Sequence, residues 1–274
     1  MAEPNGAETG ANAGVDAEFG DGRYLYCVVD STAETEFSET GIDDEPVSVV
    51  AAEGVGAVVQ PCDSPYDTDD LDTVREWLLT HQEVVDAAGE AFGTPLPFRF
   101  DTILKGDDDR VREWLVDQRA DLRAHLDEFA GHWEYRVGVT WDEEQVRDEL
   151  ESEDETLADL RERIDDASEG TAFMLEKQYD NRLRDLRRTR KEALATRLRD
   201  GLEPLVREFE EADSRTNLLG SDTPEDVVQV AFLAHEDRET DIGDVLDDIA
   251  GEPGVEVRFT GPWPPYSFAP ELDA

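Results

Sequence analysis

The chain has 274 residues, and 70 Asp and Glu against 25 Lys and Arg leave a formal charge of −45. A charge of that size opposes compaction in ordinary buffer, so folding is expected in strong salt, where the Debye length falls to about 3 Å at 1 M. The balance argues against nucleic acid as a partner, two cysteines are too few for a disulfide framework, and no apolar run reaches the length for membrane insertion.

Residues 1–22 are Gly, Ala, Glu and Asn with almost no large apolar side chain, and are expected to form a disordered acidic tail. RYLYCVVD (23–30) reads as a buried strand. VSVVAA (47–52) and VGAVVQP (55–61), separated by Glu53-Gly54, read as a hairpin. A helix is predicted over 69–92, capped by Asp69 or Asp70, with Val74, Trp77, His81, Val84 and Ala88 on one face and Gly93 after its end. TPLPFRFDTIL (94–104) opens with two prolines and reads as an edge strand or a structured loop. A second helix over about 108–130 stops at Gly131, and WEYRVGVTWD (133–142) alternates as a half-buried strand does.

From 143 to about 212 the pattern is helical throughout, with a break near Gly170 and a kink or helix start at Pro204. Two long helices joined near Gly170 would form a hairpin protruding from the sheet. DVVQVAFLAHED (226–237) is the cleanest strand, 240–250 a short helix, and VEVRFTG (255–261) a last strand. The expected architecture is α+β, with two domains over 23–132 and 133–261. Each is an antiparallel or mixed sheet with helices on one face, and at least one, the second, is ferredoxin-like with a long central helical hairpin. Residues 262–274, rich in Pro and aromatics, are expected to be an extended C-terminal tail.

No catalytic constellation emerges. His81, His125, His132 and His235 form no metal-binding spacing, and no phosphate-binding glycine loop is present. No catalytic residue, metal ligand or cofactor is assigned, and the composition fits a halophilic, cytoplasmic protein.

Three segments exceed what a solvated globule needs. Residues 177–199 hold nine basic and three acidic side chains, a local charge of +6, with Arg184, Arg187, Arg188 and Lys191 at its centre. Pairing with the acidic helix over 143–166 is the first reading and a docking face for an acidic protein the second. Arg99 lies between Phe98 and Phe100, so it should pair with a buried carboxylate, stack on the aromatics, or bind a partner. GPWPPYSFAP (261–270) presents Trp263, Tyr266 and Phe268, to be buried against the chain itself or offered to a partner.

RYLYCVV near the start, His81-Gln82-Glu83-Val84-Val85, Leu96-Pro97-Phe98-Arg99-Phe100, WEYRVGV and the closing VEVRFTGPWPPYSF together resemble the gas vesicle GvpL/GvpF family, in its haloarchaeal branch and more like GvpL. Asp101 stands where many relatives carry Gly. The resemblance implies an accessory or minor structural protein of the buoyancy vesicle, associated with vesicles in the cytoplasm and acting in nucleation and assembly of the shell. It implies binding to the major gas vesicle shell protein and to other accessory gas vesicle proteins, with no catalytic residues. Two rival readings are a small-molecule enzyme on a ferredoxin-like scaffold around His81 and Arg99, and an RNA-binding adaptor using 177–199.

Overall fold

The structure is a computed structural model describing residues 21–32, 36–211 and 227–272, so all but the last two residues of the expected tail over 1–22 lie outside the described residues. It contains two antiparallel sheets. The first is built from β1 (Gly22–Asp30), β2 (Glu39–Thr40), β3 (Pro46–Ala52), β4 (Val55–Cys62), β5 (Leu96–Pro97) and β6 (Ile103–Lys105), with helices α1 (Leu71–Phe92), α2 (Asp108–Asp117) and α3 (Arg119–Phe129). Its spatial order is β2-β3-β4-β1-β5, with β6 also paired to β1. The β3–β4 turn needs positive φ at Glu53 (51°) and Gly54 (86°), which Gly54 accepts without a Cβ penalty.

Helices cover both faces of this sheet, where one covered face is expected. Tyr24, Tyr26, Val29 and Val58 face Val84, Val85 and Ala88 of α1. Leu25, Val28, Ala57 and Val59 face Val111 and Leu115 of α2 and Leu122 and Leu126 of α3. The uninterrupted apolar run of β1 has this cause: a strand wet on one side would alternate with polar residues. Asp70 caps α1 by accepting the Asp72 N–H. The second expected helix is divided at Gln118 (φ −94°, ψ 1°).

The second unit runs β7 (His132–Trp141), α4 (Glu143–Glu153), α5 (Glu155–Asp165), α6 (Glu169–Leu202), β8 (Glu208–Glu211), β9 (Val228–His235), α7 (Glu239–Ala250) and β10 (Val255–Trp263). The strands lie in the order β10-β7-β9-β8, which with helices after its first and third strands is the ferredoxin-like β-α-β-β-α-β arrangement. Tyr135, Val137, Val139, Val230 and Phe232 pack under Leu194, Leu198 and Leu202 of α6 and Ile242, Leu246 and Ile249 of α7.

The region expected to be helical from 143 to 212 contains three helices and a strand. Asp142 and Asp154 each cap a new helix start. α6 ends at Leu202, and residues 208–211 pair with β9, Phe209 opposite Phe232. Pro204 stops the helix because it lacks the donor that a further turn would need. The hairpin itself is present: Val146, Leu150, Leu157 and Leu160 of α4 and α5 close an apolar seam with Leu175, Tyr179 and Leu183 of α6. Each such buried leucine contributes roughly 2 kcal/mol.

The two sheets share contacts. Leu233, on the face of β9 away from α6, joins the first sheet's core, and the Arg207 guanidinium lies 5.7 Å from the centre of the Phe129 ring of α3.

Candidate interaction surface

The closing aromatic segment is consumed inside the molecule. β10 continues through Pro262 to Trp263, which pairs with Glu134 of β7. Gly261 permits this approach, since a Cβ there would lie 2.9 Å from the Glu134 carbonyl oxygen. Beyond Pro264 the chain turns instead of staying extended: the Ala269 N–H donates to the Pro265 carbonyl at 2.7 Å. Prolines at 264 and 265 precede the turn, where no N–H of theirs is required.

The carboxylate of Glu134, 0% exposed, anchors the segment. It accepts the Ser267 N–H at 2.8 Å and the Ser267 hydroxyl at 3.0 Å. Arg136 donates to the same carboxylate at 2.8 Å. The ring of Tyr266 enters the cluster around Tyr24, Tyr26 and His81 under α1, and burial pushes its phenol well above the usual range. Phe268 and Leu272 pack on the opposite core, with Leu25, Phe98 and Trp114. The segment therefore reaches both faces of the first sheet and ties them to β7.

Arg99 has an 81% exposed side chain, and its guanidinium pairs with Glu271 of the same segment. This corrects the expectation of a buried carboxylate or an aromatic partner. Phe100 is half-buried and meets Tyr24 and His81 edge-on. Asp101 adopts φ +64°, the left-handed conformation that suits glycine, and its carboxylate accepts the Tyr66 N–H at 3.0 Å. A crevice of about 340 Å³ separates residues 97–102 from 266–272.

His81 is 4% exposed, with Nδ1 at 2.8 Å from the Tyr24 hydroxyl. Burial pushes its pKa down to about 4, so the ring is neutral near pH 7. His81 and Arg99 thus differ sharply in exposure and are held by separate partners. Among the described residues no group of three or more His, Cys, Asp or Glu side chains converges as a metal site.

The basic interval lies on α6 and divides by face. Its inner face laces the hairpin: Arg187 pairs with Glu143 at 2.7 Å, Arg190 with Glu149 at 2.8 Å, and Arg182 with Asp154. These pairings with the acidic helical limb are the ones the opposite signs predict. Arg184, Arg188 and Lys191 are exposed on the other side; Arg184 donates only to Asn181, and Arg188 lies 3.8 Å from Glu192. At the hairpin tip, Phe173 and Met174 are 67% and 58% exposed.

Two important features escape sequence reasoning. Glu134 looks like a solvent position in an alternating strand; its one signal is Arg136 two residues on, the same face of β7 carrying both signs. Phe173 and Met174 lie off the stripe of Leu175, Tyr179 and Leu183, and that offset is the one signal of their exposure.

Comparison with known proteins places the chain among gas vesicle proteins. The family model described as gas vesicle synthesis protein GvpL/GvpF matches residues 22–270. Gas vesicle protein L1 of Halobacterium salinarum is 47% identical, covering 98% of each chain. Gas vesicle protein L of Haloferax mediterranei is 41% identical, covering 92% of this chain and 88% of the relative. The crystal structure of gas vesicle protein GvpF from Anabaena sp. PCC7120 has the same fold, with a TM-score of 0.69 at 22% identity over 92% of this chain and all of the other.

Proposed function

The chain belongs to the GvpL/GvpF family of gas vesicle synthesis proteins, and on that premise we propose that it assists nucleation and assembly of the vesicle shell by binding other polypeptides, without bond-making of its own. Its partners are the major shell protein and other accessory gas vesicle proteins. It keeps the apolar shell subunit from premature association while its acidic exterior keeps the complex dissolved in strong salt. The observation that carries this reading is near full-length similarity to gas vesicle proteins named L, at 41% and 47% identity.

Two features of the molecule support it. Beneath α1 the buried His81 ring is bonded to the Tyr24 hydroxyl, while exposed helix faces that depart from the acidic surface suit contact with another protein. Among the described residues no helix is long and apolar enough to cross a membrane.

The test is co-expression of the major shell protein with and without this chain in a high-salt host, following the shell protein in the soluble fraction. A larger soluble fraction with the chain is expected; an unchanged one contradicts the reading.

A further inference from the structure

The hairpin pairing accounts for only part of the positive charge on α6. Arg182, Arg187 and Arg190 point to α4 and α5 and find carboxylates there. Phe173, Lys177, Asn181, Arg184, Arg188 and Lys191 recur three or four residues apart and are all exposed, so they share one outer face. Asp180, Asp185 and Glu192 flank that stripe, yet among the described residues Lys177, Arg184 and Lys191 make no ion pair. Two of the chain's three lysines are here. Three cations without an ion pair on one face stand out in a chain where Asp and Glu number 70 of 274 residues.

Salt decides what such a face can recognise. At 1 M and above the Debye length is about 3 Å or less, so attraction survives only between groups in contact. Strands held through phosphates alone lose affinity steeply under those conditions. Arginine–carboxylate bonds at contact distance persist better because they are directional hydrogen bonds as well as ion pairs. Apolar contact does not depend on charge, and Phe173 with Met174 supplies it at one end of the stripe. The stripe spans 173 to 191, roughly 27 Å of helix at 1.5 Å per residue.

Resting on the reading of this chain as an assembly protein, we propose that the outer face of α6 docks an acidic amphipathic segment of another gas vesicle protein. Apolar residues of that segment cover Phe173 and Met174, and its carboxylates meet Lys177, Arg184, Arg188 and Lys191.

The test places a photo-crosslinking residue at Asn181, within the stripe, in the full-length chain in vesicle-forming cells. The same residue at Thr189, exposed on another side of α6, is the control. The expected adduct at 181 is a gas vesicle protein cross-linked through a segment of net negative charge with apolar residues three or four apart, at roughly tenfold the yield of the control. The fourfold variant K177Q/R184Q/R188Q/K191Q and the pair F173S/M174S should each reduce that yield severalfold without changing the thermal midpoint. An adduct to RNA, to a second copy of this chain, or to a basic segment overturns the proposal, as does a yield no higher than the control. If the fourfold variant restores vesicles in deletion cells and keeps the full adduct yield at 181, the docking face falls and the assembly role stands; loss of the assembly role is read separately, from flotation of the deletion strain.

Discussion

The C-terminal aromatic segment and the outer face of α6 both break with the acidic chain around them, and the molecule uses them in opposite ways. The segment is matched at home: a buried carboxylate for Ser267, a ring cluster for Tyr266 and an apolar core for Phe268. The α6 stripe has its complement on the far side of its own helix, where other arginines already occupy the acidic limb. An unusual composition therefore signals that a segment has a matching surface somewhere, and only the supply of complementary groups nearby tells whether that surface is internal. Removing side chains from the segment should cost stability; removing them from the stripe should cost only binding.

The largest expected effect is a pH dependence centred on His81, on which Tyr266 sits. In the folded chain the ring stays neutral down to about pH 4, whereas in the unfolded chain it takes a proton near 6.5. Stability is therefore full above about pH 6.5 and is lost as pH falls toward 4, by about 3 kcal/mol. Denaturant titrations in multimolar KCl should show this slope and a flatter one for His81→Gln. Next is Tyr266→Ala, expected to cost about 2.5 kcal/mol because the ring is half-buried in the cluster. Glu134→Gln follows, at about 2 kcal/mol, from weakened bonds to Ser267 and Arg136; faster proteolysis after Trp263 than in the parent chain is its second readout. Arg190→Gln, breaking a partly buried pair of the hairpin, should cost about 1 kcal/mol. Lys191→Gln should change the unfolding free energy by less than about 0.5 kcal/mol. A stripe variant that destabilises as much as Glu134→Gln would erase the contrast between the two regions.

Much of this was legible in residue patterns. The hairpin turn at Glu53-Gly54, the cap at Asp70 and the strand–helix–strand succession after residue 226 are local, and local spacing fixes them. The continuous apolar run of RYLYCVVD also announced a buried strand, although that it needed helices on both sides became visible only with α1 and α2–α3 in place. What stayed hidden depends on contacts between distant residues. Helical spacing extended through Leu202, Leu205 and Phe209, yet Phe209 belongs to a strand because β9 offers an open edge there. Arg99 reads as buried among phenylalanines, but Glu271, 172 positions away, holds it at the surface. Within 177–199 the residues carry charge without direction; assigning each arginine to the inner or outer face of α6 required knowing where α4 and α5 lie.

The most direct measurement of the central claim, that this molecule serves vesicle assembly by binding other proteins, is flotation of cells lacking the gene and complemented with either the parent chain or none. Floating cells packed with intact vesicles only when the chain is restored are the predicted result. Undiminished flotation in its absence would contradict the account.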